Sequence, residues 1–222
     1  MSNHGTTASS AGGRYDFVTA TKTVLRDIGA LQVLIGGSML VPMLVSILYQ
    51  EWYSALAFLI AAGVTALLGG VAYRVNEDAA EPQRHHAMIV AALGWAVTAF
   101  FGAMPFVLAA YITPSAVLDA FVPAGGTYQS SLLYFQNPLH AFFESMSGYT
   151  TTGLTMSIRE PSVGHGFLWY RSQMQWIGGA GMIVLSLAIL RQPHGNDRPL
   201  ASDSSTTPRD GGDIALSVGG TE

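Results

Sequence analysis

Long apolar stretches constrain the fold of this chain more than any other feature of its sequence. A helix of about 20 mostly apolar residues can cross the hydrocarbon core of a bilayer. Three stretches meet this length, and they are Ala30–Tyr49, Ser54–Tyr73 and Ala87–Ile112. A fourth, Phe167–Leu190, is amphipathic in its first half and apolar in its second. The pattern predicts an all-α polytopic membrane protein.

The composition supports this class of protein and excludes several chemistries. Only 11% of the residues are charged, whereas a soluble domain carries about a quarter. The chain has no cysteine, so a disulfide framework and a thiolate metal site are both excluded. The histidines lack metal-ligand spacing, and no nucleophile–base pair is present, which disfavours an intramembrane hydrolase. We expect no cofactor, no enzyme activity and no nucleic-acid partner.

The distribution of basic residues predicts how the chain is oriented in the membrane. Basic residues mark the cytoplasmic side. With the N-terminus inside, only Arg159 and Arg171 of the basic residues lie outside. The inside residues are then Arg14, Lys22, Arg26, Arg74, Arg84, Arg191, Arg198 and Arg209. We therefore expect a multi-pass protein of the cell (inner or plasma) membrane with a cytoplasmic N-terminus and with Thr113–Gly166 outside.

The same patterns divide the chain into four parts. They are a polar N-terminal segment, 1–29, a transmembrane hairpin, 30–73, a helix–loop–helix repeat, 87–190, and a cytoplasmic tail, 191–222. The start of the first part and the whole of the last are polar and lack a helical period, which predicts disorder. Two prolines, Pro42 and Pro105, fall inside predicted spans, where neighbouring groups have to satisfy the freed carbonyls.

A short amphipathic segment interrupts the predicted outer loop. Asn137 followed by Pro138 is typical of a helix start, with a side-chain acceptor at the N-cap and proline at the first helical position. Apolar residues then recur at helical spacing up to Gly148, a residue type that commonly ends helices. The predicted helix has about ten residues and spans roughly 15 Å, about half a bilayer. It is either a re-entrant pore helix or an amphipathic helix on the membrane surface.

The sequence that follows, "YTTTGLT", favours a pore helix. Irregular chain at membrane depth is tolerated only inside protein or along a water-filled cavity, because its carbonyls are otherwise unpaired. Successive carbonyls and a threonine hydroxyl can replace the hydration shell of a potassium ion. Gly153 permits backbone angles that aim such carbonyls in one direction. The C-terminal end of the preceding helix adds partial negative charge beside the cation.

Two motifs carry a resemblance to a known family. The loop "SGYTTTG" and the helix opening "RSQMQWIGGAG" follow each other in one helix–loop–helix unit, after two leading spans. In this order they resemble the Trk/Ktr/HKT superfamily of potassium transporters, and the chain looks TrkH-like over the N-terminal part only. The resemblance implies potassium uptake through a filter formed by Thr151, Thr152, Gly153 and Leu154, with Thr155 completing the strand. It also implies that Tyr149 and Thr150 pack behind or below the strand.

Four further residues are candidates to support the filter: Glu144, Gly148, Arg171 and Gln175. Glu144 would either draw cations or, as we favour, hydrogen-bond nearby backbone, since an acid at this depth is costly. Arg171 and Gln175 are one helical turn apart and could bond loop carbonyls. Arg171 could instead pair with Glu144 or Glu160, or extend to the membrane interface. The glycines at 178, 179 and 181 predict close helix packing, as do the pairs 36/37 and 69/70.

The number of filter strands leaves the function of this chain open. The family has four such repeats, and this chain has one filter loop. We expect it to form a homo-oligomer, or to assemble with the remaining repeats of a split or truncated transporter. The family also implies a cytoplasmic regulatory subunit with nucleotide-binding domains. The alternative is a truncated, non-conducting membrane fragment or assembly module, with a frame disruption near Arg191 as the hypothesis for the tail.

Overall fold

The chain is helical throughout the part that the computed structural model describes, residues 8–79 and 84–190. No β-strand occurs in these residues. The helices are α1 (Ala8–Ser38), α2 (Leu40–Leu48), α3 (Trp52–Val75), α4 (Arg84–Ile112), α5 (Ser115–Ala120), α6 (Pro138–Tyr149) and α7 (His165–Leu190), with short 3-10 helices at Ser131–Gln136 and Glu160–Val163.

Three helical stretches are long and apolar enough to cross a membrane. They are Ala20–Leu48, Trp52–Val75 and Met88–Ile112. Together with the helical content, they confirm the predicted all-α membrane protein. Within the described residues, α7 is not among these three stretches. The fourth span therefore stays a prediction.

The first helix begins well before the predicted start of the first span. The predicted boundary at residue 30 falls inside α1, which runs from Ala8. This stretch of α1 carries the charged residues Lys22, Arg26 and Asp27. Arg26 is accommodated, however, by Asp27 at 3.0 Å and by the Ala79 carbonyl at 2.8 Å. Residues 1–7 and the predicted tail lie outside the described residues.

Proline breaks the first span, and a distant side chain compensates. Pro42 has no N–H to donate to the carbonyl of Ser38, one helical turn earlier, and α1 ends at Ser38. The side-chain amide of Gln173, on α7, donates to that carbonyl at 2.8 Å. The predicted requirement for a neighbouring donor is therefore met at Pro42.

Small residues bring α1 and α3 into close contact. Side chains at Gly29, Gly36 or Gly69 would each lie within 3.0 Å of backbone on the opposite helix. A Cβ at Gly70 would make only an ordinary contact, 3.9 Å from the Val33 side chain, and a Cβ at Gly37 would face open space. The predicted packing role is therefore confirmed for Gly36 and Gly69, and it is wrong for Gly37, because that position lies on the other side of α1.

Aromatic side chains join α4 and α7 at the centre of the molecule. Phe106 packs against Phe135, Phe167 and Tyr170 with ring centroids 4.8 to 5.6 Å apart, and all four side chains are fully buried. The Tyr170 hydroxyl donates to the Gly102 carbonyl at 3.1 Å, close to the break in hydrogen bonding at Pro105. This core holds α4 and α7 together and places α6 against both.

Candidate ion filter

The helix that leads into the predicted filter begins as the sequence indicates. The Asn137 side chain accepts a hydrogen bond from the Leu139 N–H at 3.0 Å, and Pro138 is the first helical residue. The helix has 12 residues and ends at Tyr149, one residue beyond the predicted end. Gly148 is buried inside it, where a Cβ would lie 3.0 Å from the Cβ of Met174 on α7. Gly148 thus permits close packing with α7 and does not end α6.

The chain after α6 folds back over the end of that helix. The Thr151 N–H donates to the Gly148 carbonyl at 3.0 Å, and the Thr152 N–H donates to the Ser147 carbonyl at 3.0 Å. Two residues have left-handed backbone angles, Thr151 with φ 60° and Gly153 with φ 77°. Gly153 adopts this region without steric cost, whereas a β-branched threonine does not.

Most of the predicted filter carbonyls have no partner among the residues that the structure describes. Within the described part of the chain, no hydrogen bond reaches the carbonyl oxygens of Thr151, Thr152 or Gly153. The Leu154 carbonyl differs, since it accepts from the Ser147 hydroxyl at 2.6 Å. Residues 150–154 are all exposed. The segment therefore offers three unpaired carbonyls on an open face.

The residues predicted to lie behind the filter are divided between the interior and the surface. Tyr149 is fully buried. Thr150 is exposed, and its hydroxyl donates to the Met146 carbonyl at 2.7 Å while lying 2.9 Å from the Thr152 hydroxyl. Thr150 thus extends the hydrogen bonding of α6 by one turn.

Glu144 ties the far end of the segment to α6. Its carboxylate is buried, accepts from the Met156 N–H at 2.7 Å and lies 3.0 Å from the Thr155 hydroxyl through either oxygen. The Thr155 hydroxyl in turn accepts from the Ser157 N–H at 2.9 Å. The hydrogen bond from nearby backbone that we favoured for Glu144 is present, at the Met156 N–H.

Arg171 connects two carboxylates on either side of the segment. Its Nε lies 2.5 Å from Glu144, and its other guanidinium nitrogen lies 3.0 Å from Glu160. Both pairings that the sequence left open therefore form, and the arginine is largely buried rather than extended to the interface. The buried charge of Glu144 is compensated by a helix that lies outside the loop.

The remaining candidate residues of α7 are Gln175 and three glycines, which differ in how closely they pack on the predicted filter. Gln175 makes no hydrogen bond to the filter within the described residues, although its amide nitrogen would lie 3.9 Å from a Cβ at Gly153. Gly178 abuts the Tyr149 carbonyl so closely that any Cβ there would overlap it, which confirms its packing role. Gly179 and Gly181 are less closely packed. A Cβ at Gly179 would lie 3.8 Å from the Thr151 side chain, and a Cβ at Gly181 would lie 3.6 Å from the Trp95 ring.

Both the sequence and the fold are similar to those of known transporters. The profile of the TrkH family, described as cation transport proteins, matches residues 115–217. The potassium uptake protein TrkH of Halomonas elongata is 34% identical over 172 residues, and that of Escherichia coli K12 is 31% identical over 170. The crystal structure of the potassium transporter TrkH from Vibrio parahaemolyticus matches with a TM-score of 0.58 at 28% identity. The chain is TrkH-like.

The matched region includes most of this chain but only a limited part of each relative. It covers 76% of this chain and 30% of each of the two TrkH sequences, and 77% of this chain and 32% of the Vibrio structure. The chain thus spans about a third of the length of the relatives it matches. That extent is in accord with a match to the N-terminal part of those relatives. The family match runs past Arg191, into residues outside the described part.

Two polar clusters of this TrkH-like chain were not predicted from the sequence. Glu51, between α2 and α3, accepts from the backbone N–H groups of His165 and Gly166 at 2.6 and 3.0 Å. A second cluster joins Ser130 and Ser131, before α6, to Ser162, after the filter. Neither could be found from spacing, because each joins residues that are more than 30 positions apart in the chain.

The serine cluster links the two flanks of the filter loop. The Ser131 N–H donates to the Ser162 hydroxyl at 2.9 Å, the Ser130 hydroxyl donates to the Ser162 carbonyl, and the Ser131 hydroxyl lies 2.8 Å from the Arg159 N–H. All three serines are buried. The cluster closes the outer loop around α6. Among the side chains that the structure describes, no group of His, Asp or Glu has the arrangement of a metal site.

Proposed function

We propose that this chain contributes a backbone-carbonyl filter segment to TrkH-type potassium uptake across the cell membrane. The observation that carries the proposal is the exposed run from Thr151 to Gly153, whose carbonyls have no partner in the described part of the chain. An unpaired backbone carbonyl at membrane depth is costly. A dehydrated potassium ion is the partner that such a group of oxygens fits.

The backbone and the charges around the segment suit a cation. Left-handed angles at Thr151 and Gly153 let neighbouring carbonyls turn toward one face. The C-terminal end of α6, with its partial negative charge, lies directly beneath. The Glu144 carboxylate forms an ion pair with Arg171, so in this proposal it supports the strand and does not itself bind the ion. Thr155 completes the strand through its bond to Glu144.

A complete filter needs more than one such strand. Coordination of potassium in known filters uses about four strands around an axis. We propose that the exposed face of residues 150–154 meets equivalent segments, from other copies of this chain or from the remaining repeats of a TrkH-type transporter. In the proposed orientation the N-terminus is cytoplasmic in the plasma membrane, and a nucleotide-binding regulatory subunit would dock on the cytoplasmic side, around the loop at 74–86.

The experiment that tests the proposal compares two glycines with the same kind of backbone. Gly153 and Gly125 have φ of 77° and 86°, and a Cβ at either position meets nothing closer than 3.9 Å. Alanine should therefore cost about 1–2 kcal/mol of backbone strain at both. The full chain is expressed in a strain that lacks potassium uptake, and growth at low potassium and rubidium uptake are measured. We expect Gly153→Ala and Gly153→Asp to abolish uptake and Gly125→Ala to retain it.

The outcomes separate the proposal from its alternative. Uptake that survives both Gly153 substitutions would contradict the filter assignment. The observation that favours a non-conducting assembly module is the open face of a single filter segment. That alternative predicts no uptake by the unsubstituted chain and a monomeric mass in detergent, whereas a tetrameric mass would favour conduction by this chain alone.

A further inference from the structure

The two faces of α7 contact different parts of the molecule. One face meets the N-terminal hairpin, defined here as α1 to α3, and the other meets α6 and the filter segment. We propose that the hairpin positions the filter through α7, with Glu51 and Gln173 as the positioning residues. The proposal rests on the function proposed above and gives the two leading helices a role in it.

The first link holds the start of α7. The Glu51 carboxylate is 6% exposed and accepts from the N–H groups of His165 and Gly166, the first two residues of that helix. The His165 ring lies 3.0 Å from the same carboxylate and stacks on Tyr49 with centroids 3.9 Å apart. A carboxylate at a helix N-terminus satisfies unpaired donors and complements the helix dipole. Glu51 thereby fastens α7 to the connection between α2 and α3.

The second link lies two turns further along α7. Gln173 donates to the Ser38 carbonyl, which Pro42 leaves without its helical donor. This bond is specific to the break between α1 and α2, because an unbroken helix would satisfy the carbonyl itself. At the first link, Gly166 also packs directly on the Ser46 side chain of α2, with no room for a Cβ. The first turns of α7 are therefore held against the hairpin along their length.

The other face of the same turns holds the filter. Arg171 pairs with Glu144, which bonds Thr155 and Met156 at the end of the strand. Gly178 abuts the Tyr149 carbonyl at the start of the strand. Arg171 and Gln173 are two residues apart, so they point to nearly opposite sides of the helix. A helix held on one side by the hairpin thus transmits its position to both ends of the filter strand on the other.

A distance measurement tests this role. The chain has no native cysteine, so spin labels can be placed at Ile158→Cys, beside the filter, and at Leu59→Cys, on α3. Both positions are exposed. Pulsed electron paramagnetic resonance on the full chain in lipid then reports the distribution of distances between them. We expect Glu51→Gln and Gln173→Met each to broaden or shift this distribution.

Gln32→Met is the matched control for the loss of a buried hydrogen bond. The Gln32 amide donates to the Thr98 hydroxyl at 3.1 Å, so this hydrogen bond links α1 to α4 and does not involve α7. A second substitution gives a rescue, because Pro42→Ala restores the N–H that the Ser38 carbonyl lacks. We expect Gln32→Met to leave the distribution unchanged, and Pro42→Ala to narrow it again in the Gln173→Met background.

Equal broadening by Gln32→Met and Gln173→Met would overturn the proposal, since it would show a general loss of packing. An unchanged distribution in both Gln173→Met and Glu51→Gln would overturn it as well. The measurement requires no ion flux. Failure of potassium uptake would therefore contradict the proposed function while the positioning of the filter by the hairpin could still be observed.

Discussion

The carbonyl oxygen of Tyr149 occupies the space where the side chain of any residue other than glycine at position 178 would begin. Because the obstacle is backbone at the end of α6, it cannot move without displacing the filter segment that follows. We predict that Gly178→Ala destabilises the chain by about 1–3 kcal/mol or more. Thermal unfolding in detergent measures this. Gly63→Ala, on an open face of α3, is the control and should be neutral or stabilising by up to about 1 kcal/mol.

Removing the arginine that neutralises Glu144 should be costly. Arg171→Met leaves a buried carboxylate with its hydrogen bonds but without its cation, and breaking a buried pair in this way typically costs about 3–5 kcal/mol. The double variant Glu144→Gln/Arg171→Met should recover part of that loss, because no charge is then buried. A double-mutant cycle on unfolding free energies gives the coupling. Arg74→Gln serves as the exposed control, and additive effects of the two substitutions would show that the pair contributes nothing.

The left-handed threonine predicts opposite effects at two neighbouring positions. Thr151 has φ 60°, a region that costs about 1–2 kcal/mol for a residue with a Cβ. Thr151→Gly should therefore stabilise the fold by about 1 kcal/mol. Thr152→Gly relieves no such strain and should destabilise it by about 0.5–1 kcal/mol, through chain entropy. If the two substitutions change the free energy of unfolding in the same direction, the backbone at Thr151 is not strained.

The serine cluster predicts a loss of stability from a single hydroxyl. Ser162→Ala leaves the buried Ser131 N–H without an acceptor, at a cost of about 1–3 kcal/mol. Ser172→Ala removes an exposed hydroxyl that only bonds the carbonyl one turn earlier, and it should be nearly neutral. Hydrogen exchange at Ser131 should accelerate in the first variant alone. Unchanged protection there would mean that another group accepts this proton.

Local sequence signals were sufficient for several elements of the fold and the site. The apolar runs predict the membrane helices, because the thickness of a bilayer sets their length. Asn137 and Pro138 predict the start of α6, because capping depends only on adjacent residues. The run of three threonines followed by Gly153 predicts the irregular backbone at 151–153, and the structure has left-handed angles at Thr151 and Gly153.

Other features required the assembled helices. The helix α1 runs back to Ala8, ahead of the predicted span, and within it Arg26 bonds the carbonyl of Ala79, which is 53 positions away. The role of Gly148 was misread because a glycine that ends a helix and one that admits a neighbouring helix look the same in a sequence. The links from Glu51 to α7 and from Gln173 to Ser38 join residues more than 100 positions apart.

The sequence by itself determined the class of protein, the helix that precedes the proposed filter and the irregular backbone that follows it, because length, capping and backbone freedom are local properties. Only the tertiary structure decided which filter carbonyls stay unpaired, how Glu144 is neutralised and what holds α7. Those outcomes depend on which helix faces lie against each other, and each contact joins groups that the linear order of the chain keeps apart.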